Sequence, residues 1–338
     1  MSPGISLKEL AEKIGVSRTT VSRVMSGHAE KYRISKKTVK KVQEAAEQYG
    51  LAPNQMAVNL RKQKTDTIGL LVPDLSNPFF ANLAHAVEQE LRAVGKLMLL
   101  SSTNDDTLLE EKTLGLIARR QTDGLIVVPV GIQAEHFKLF EDRPIIFMDR
   151  YFEDLNIRHV SSDNMAGAYA ATQYLIKRGH RKITVIQGLP EAISNMDRIA
   201  GYQEAMQQAG LVDEIQVVGQ GFTTQNGFES ARQLLTNSDR PTALFTLNNL
   251  IAIGAIRALT QHGLHVPKDI SLLSFDEQPY FELTSPPVST IKQPIAQIAK
   301  KAVEMLLCRL DGKEVASQKI VPEIIERQSV KDLNSHLS

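Results

Sequence analysis

The sequence predicts an all-α helix-turn-helix headpiece followed by an α/β core of two doubly wound parallel-sheet subdomains. Three observations carry this. Residues 6–27 read as helix, glycine turn and capped helix. From Thr67 onward, short apolar runs alternate with amphipathic helical stretches, the pattern of a parallel sheet covered on both faces. Charge is also divided unevenly. Residues 1–64 hold 13 Lys/Arg against 5 Asp/Glu, and the rest of the chain holds 26 against 33. The overall charge of +1 therefore conceals a head of +8 on a body of −7, which suggests a polyanion partner for the head only.

The head justifies its helices one by one. Ser6 with Glu9 forms a capping box, so a helix can begin there. Leu7, Leu10, Ala11 and Ile14 recur at helical spacing. Gly15 supplies the turn. Ser17 caps a second helix whose Val21, Val24 and Met25 face back to the first. Arg18, Thr19, Ser22 and Arg23 then lie on the outer face, near the helix start. A helix-turn-helix places such residues on base edges in the major groove. An ordinary helical hairpin with a solvated face is the competing reading. Ser35 opens a third helix with Val39, Val42, Ala45 and Ala46 on one side and Lys36, Lys37, Lys40 and Lys41 on the other, a solvated face or a set of phosphate contacts. Residues 53–61 start with Pro53, which suits a first helical position, but a helix this short is marginal in water. A plain linker is the alternative.

In the body, strands are expected at 68–72, 97–101, 124–128, 145–148, 183–186, 215–218, 243–246 and 272–275. Helices are expected at 80–94, 108–119, 166–178, 198–209, 227–235, 250–262 and 295–310. The series divides near residue 160 into halves of similar size, a clamp able to close by hinge motion. Ligands in open α/β sheets sit beyond the carboxyl ends of strands. Those positions hold Asp74, Asn77, Phe79, Phe80, Asp149, Arg150, Arg198, Phe222, Asn248, Asn249 and Asp276. Polar groups for hydroxyls and aromatic faces for a ring suit a sugar-like ligand. A second arginine, Arg150 beside Arg198, would suit a phosphate or carboxylate. Bland readings compete: one phenylalanine in the core, Asp149 orienting its loop, Asp163 and Asn164 capping a helix.

No apolar run reaches the roughly 18 residues of a membrane span, and no secretory signal opens the chain. The expectation is a cytoplasmic protein without membrane contact. One cysteine, Cys308, excludes an intrachain disulfide and Cys-cluster metal sites. No phosphate-loop, metalloprotease or nucleophile-elbow motif occurs. The expectation is a non-enzyme with no cofactor and no metal.

In their order and spacing, these residues resemble the LacI/GalR family of bacterial transcription regulators. The likeness runs from the head through the PN-x-x-A-x-x-L-R linker at 53–61. It continues through NPFF, TDGLIVVP, Asp149-Arg150, SDN, RGHRKI, RIAGY and SFD at 274–276. The segment 27–34 is longer than in typical members, and its KYRIS core is similar to that of the fructose and sucrose repressors, the Cra-like branch.

The resemblance implies a headpiece at 1–52, a hinge helix or linker at 53–64 and a periplasmic-binding-protein-like core at 65–330. The core's N-subdomain would take about 65–160 and 291–320, and its C-subdomain about 161–290 and 321–330. Arg18 and Thr19 would read bases, with Ser17, Ser22 and Arg23 beside them. Asn54, Leu60 and Arg61 would act from the hinge in the minor groove, Leu60 as the wedge that levers a base step apart. Phe79, Phe80, Arg150, Arg198, Phe222, Asn248 and Asp276 would hold the effector. Asn249 departs from the aspartate usual at its position. The expected function is a ligand-responsive repressor of carbohydrate-related genes. It would bind a palindromic operator in double-stranded DNA as a homodimer, paired through helices starting near Phe80 and Leu250, with a sugar or sugar phosphate in the cleft. A sugar-binding solute receptor without DNA function is the alternative.

Overall fold

The computed structural model describes residues 5–49, 51, 65–131, 134–141, 143–236 and 239–334. The chain forms two compact units, Met1–Asp66 and Thr67–Ser338.

The first unit contains α1 (Leu7–Ile14), α2 (Arg18–Met25) and α3 (Lys36–Gln48). The Glu9 N–H donates to Ser6 Oγ at 3.2 Å, and the Ser6 N–H donates to the Glu9 carboxylate at 2.8 Å. Both ends of the capping box are therefore closed. Gly15 ends α1 in the left-handed region at φ 63°, which glycine enters without strain from a Cβ. Leu10, Ala11, Val21, Val24, Val42, Ala45 and Ala46 form the core of this unit. Their spacing turns one face of each helix inward.

The second unit holds two six-stranded sheets. The first is ordered β11-β5-β4-β3-β1-β2 and the second β12-β10-β9-β8-β6-β7. In sequence, the first sheet takes β1 (Thr67–Val72), β2 (Leu97–Ser102), β3 (Gly124–Val127), β4 (Ile145–Met148), β5 (His159–Ser162) and β11 (Gln318–Ile320). The second takes β6 (Ile183–Ile186), β7 (Gln216–Val218), β8 (Ala243–Thr246), β9 (Ser271–Phe275), β10 (Ser289–Lys292) and β12 (Glu323–Ile325). All pairings are parallel except β10 with β12. The chain passes between sheets at 162–164, 292–295 and 320–323.

Helices cover both faces of each sheet. α4 (Pro78–Ala93) and α10 (Ile295–Leu310) pack on the first sheet around Leu70, Val87, Ile146, Ala299 and Leu306. α5 (Thr107–Arg119) covers its other face through Leu114 and Ile117. On the second sheet, α6 (Asn164–Lys177) and α7 (Ile193–Gln208) form one layer. α8 (Thr224–Thr236) and α9 (Asn249–Gln261) form the other.

Four strands depart from the sequence expectation: β5, β10, β11 and β12 had not been anticipated. They are three or four residues long, and HVSS, STIK, QKI and EII offer no continuous apolar run. α7 begins at Ile193 rather than 198, because Ala192 makes no side-chain cap that would mark the start. Cys308 is half-buried on α10.

Candidate functional site

The head presents the first candidate surface. Ser17 Oγ accepts the Thr20 N–H at 3.0 Å and lies 2.8 Å from Thr20 Oγ1. This fixes the start of α2. Arg18 and Thr19 in its first turn are exposed, and Ser22 and Arg23 are half-buried. The Arg23 guanidinium lies over the Tyr32 ring, 3.8 Å from its centroid. Lys36, Lys37, Lys40 and Lys41 are all exposed on α3. Lys40 pairs with Glu44 at 3.7 Å, a solvated i,i+4 contact of little energetic weight. Asn54, Leu60 and Arg61 lie outside the described residues.

The second candidate is the cleft between the two sheets of the body. A cavity of about 40 Å³ there is lined by all seven residues expected at the effector site: Phe79, Phe80, Arg150, Arg198, Phe222, Asn248 and Asp276. It also takes Asp74, Asn77, Asp105, Asp149, Ser194, Leu250 and Gln293. The lining residues come from strand ends and helix starts of both sheets. That follows from parallel topology, which brings every strand's carboxyl end to one edge.

Each side chain is held from its own element. Asn77 caps α4 by accepting the Phe79 N–H at 3.1 Å. Phe79 and Phe80 meet edge to face with centroids 5.1 Å apart. Both belong to the core and both line the cavity, so the two readings hold together. Asn248 caps α9, accepting the Ile251 N–H at 2.8 Å. Phe222 packs over Gly188, where a Cβ would lie 2.0 Å from its ring. A side chain at 188 would displace that ring.

The charged centre is compact. Arg198 is 3% exposed. Its Nε donates to Asn164 Oδ1 at 2.8 Å, its Nη1 donates to the Leu247 carbonyl, and its Nη2 stands 4.0 Å from Asp276. Its guanidinium covers the Phe275 ring at 3.7 Å. Arg150 lies between Phe80 and Phe222, 5.4 and 5.6 Å from their centroids, and pairs with Asp105 at 3.3 Å.

Asp149 and Asp276 occupy matching places, each directly after a strand of its sheet, β4 or β9. Both adopt positive φ, 66° and 71°, a conformation seldom used by residues other than glycine, asparagine and aspartate. Burial pushes the Asp149 carboxyl up to about 6. Arg150 and Arg198 partly oppose this, and Asp276 reinforces it. Burial also raises Asp276, against the pull of Arg198 and a hydrogen bond from Gln293. Asp149 Oδ1 is buried without a hydrogen-bond partner. A buried acceptor in that state costs free energy until a donor reaches it.

Sequence reasoning assigned Asp149 to its loop and passed over Gln293. Gln293 donates to Asp276 Oδ1 at 2.6 Å and accepts from Ser162 Oγ, so it ties the crossover to the charged centre. Its position follows β10, a strand with no apolar signature. Asn249 links the lobes through its Nδ2, which donates to Asn77 Oδ1 at 3.2 Å and to Tyr280 Oη at 3.1 Å. An aspartate would have no N–H for either partner.

Among the described residues, no group of His, Cys, Asp and Glu is arranged to hold a metal ion. No described helix is long and apolar enough to cross a membrane.

Comparison with known proteins agrees with both domains. Residues 6–54 match the family described as bacterial regulatory proteins, lacI family. Residues 172–330 match the periplasmic binding protein-like domain. The chain is 34% identical to the HTH-type transcriptional repressor PurR of Photobacterium profundum, over 97% of this chain and 99% of that one. It is 33% identical to the HTH-type transcriptional regulator DegA of Bacillus subtilis, over 98% and 99%. The lac repressor dimer, solved bound to operator and the anti-inducer ONPF, shares the fold. Its TM-score is 0.85 at 24% identity, covering 97% of this chain and 100% of that one. With a helix-turn-helix head, a two-lobed α/β core and full-length relatives of this kind, the chain belongs to the lacI family of bacterial regulatory proteins and is a DNA-binding transcriptional regulator.

Proposed function

We propose that the chain is a cytoplasmic, homodimeric repressor whose grip on a palindromic operator is set by a small polar effector in the cleft. The head at 1–52 reads DNA, residues 53–64 serve as the hinge, and the core at 65–330 binds effector and pairs the two copies. Arg18 and Thr19 read base edges, with Ser17, Ser22 and Arg23 beside them; Asn54, Leu60 and Arg61 act from the hinge. A dimer follows from the need to face two half-sites at once. Exposed Ile253 and Leu283 on the body support a surface for pairing near α9.

The effector we favour is a neutral polyhydroxylated ring, held by Arg198, Asn248 and Asp276 with Phe79, Phe80 and Phe222 against its faces. One observation carries this reading: the unpartnered oxygen of Asp149, beside the shared-in carboxylate of Asp276, seeks hydrogen-bond donors. The arginines, by contrast, already have acceptors, Asp105 for Arg150 and Asn164 with the Leu247 carbonyl for Arg198, which leaves the Arg198 Nη2 to donate to a ligand hydroxyl. That argues for a sugar over a sugar phosphate. The likeness to fructose and sucrose repressors is confined to residues 27–34, while the full-length relatives carry other names. A second reading, a planar heterocycle, is favoured by the two rings, Phe80 and Phe222, that both lie within 5.6 Å of the planar Arg150 guanidinium.

A thermal-shift screen of the full chain against neutral sugars, sugar phosphates and nucleosides decides among these. A ligand at about 100 times its dissociation constant stabilises by roughly 2.7 kcal/mol, a readable shift. A neutral sugar alone should give one. Shifts confined to phosphates would overturn the charge argument, and shifts confined to nucleosides would install the second reading.

A further inference from the structure

The turn between α2 and α3 carries a side chain for which no role has been assigned. Residues 27–34 form a closed structure rather than a loose insertion. His28 N–H donates to the Arg23 carbonyl at 2.7 Å, Tyr32 N–H to the His28 carbonyl at 3.2 Å, and Ile34 N–H to the Ala29 carbonyl at 2.8 Å. Gly27 and Arg33 turn the backbone at φ 70° and 50°. Ala29 and Ile34 pack against the head's core, so the turn is anchored at both ends. Tyr32 stands on it, 44% exposed. Its ring meets the edge of His28 at 6.2 Å, lies beneath the Arg23 guanidinium at 3.8 Å and has the Lys31 ammonium 5.8 Å away.

We propose that Tyr32 is a positioning residue for DNA recognition: its ring holds the Arg23 guanidinium flat and oriented before DNA arrives. The inference rests on the reading of Arg23 as a DNA contact. A free arginine gives up substantial rotamer freedom when it docks. A guanidinium already stacked on a ring gives up less, and its planar fork keeps its donors available at the edge. The ring supplies a face rather than a hydrogen bond, so phenylalanine should serve nearly as well as tyrosine. A stacked cation at an exposed site gains about 0.5–1 kcal/mol, equivalent to roughly a twofold to fivefold change in affinity.

The test uses the full chain and a pool of randomised duplexes, from which the wild type enriches its preferred sequence. Affinity for that duplex is then measured for Tyr32→Phe, Tyr32→Ala, Arg23→Ala and the double variant Arg23→Ala/Tyr32→Ala. The expected result is a twofold to fivefold loss for Tyr32→Ala and near wild-type affinity for Tyr32→Phe. The double variant should bind no more weakly than Arg23→Ala. The duplexes enriched by Tyr32→Ala should lose preference at the same base pairs as those enriched by Arg23→Ala. An equal loss for Tyr32→Phe would make the hydroxyl the working group and overturn the proposal. So would a Tyr32→Ala loss that persists in the Arg23→Ala background. If Arg23→Ala itself binds and selects like wild type, the failure lies with the reading of Arg23 as a DNA contact.

Discussion

Asp149 shows how burial and an unpartnered oxygen can set the protonation of one residue. Its carboxyl is buried after β4, in a left-handed backbone conformation, with one oxygen unpartnered. The two nearby arginines do not cancel the burial, and the carboxyl titrates near 6. In the unfolded chain it titrates near an ordinary 3.9. The folded state therefore holds this proton more tightly, and the carboxyl's own contribution to stability falls as pH rises from about 4 to about 6, then levels off. Asp149→Asn should remove that one contribution, so that the stability difference between variant and wild type grows between pH 4 and 6 and reaches about 2–3 kcal/mol at pH 7. Urea unfolding followed by circular dichroism between pH 4 and 7 measures it. Parallel curves for variant and wild type across that window would show that the carboxyl is not held up by burial.

At the scale of elements, the roles proposed for the head separate reading from anchoring. α2 carries Arg18 and Thr19 on a first turn fixed by the Ser17 cap, whereas α3 carries a row of exposed lysines. A base contact discriminates among sequences and a phosphate contact does not. Arg18→Ala should therefore change which duplexes are enriched, at a cost of about 1–3 kcal/mol on the preferred one. Lys37→Ala should weaken all duplexes alike and flatten the salt dependence by about one unit of slope. Unchanged base preference in Arg18→Ala would move the reading surface off the start of α2.

The same scale shows what could be read from the residues. α10 spans 295–310, as expected, because a long apolar stripe fixes a helix. The buried strands β1, β8 and β9 announced themselves by their apolar runs. Because parallel strands end at one edge, the cleft residues Phe79, Phe80, Arg198, Phe222, Asn248 and Asp276 were legible from order alone. The crossover strands β5, β10, β11 and β12 were not, since each has only three or four residues and no continuous apolar run. Gln293 was lost with β10. Asp149 was visible as a residue but not as a buried, unpartnered acceptor, because that depends on which arginines fold against it.

For the whole molecule, specific side-chain contacts among the described residues join the lobes of the body. Asn249 reaches Asn77 from one lobe to the other, Gln293 ties Asp276 to Ser162, and Lys319 on β11 donates to Asp197 on α7 at 3.1 Å. Such contacts have distinct geometries for distinct lobe arrangements, so a ligand that favours one arrangement shifts the population. On the proposed mechanism, the change in DNA affinity is limited to the ligand's differential affinity for the two arrangements, with reciprocal coupling.

The most direct measurement is therefore DNA affinity of the full chain with and without a saturating ligand from the screen, in wild type and Arg198→Ala. The account predicts a change of about fivefold or more in wild type, and none in Arg198→Ala at unaltered ligand-free DNA affinity. Equal DNA affinity with and without bound ligand in the wild type would contradict it.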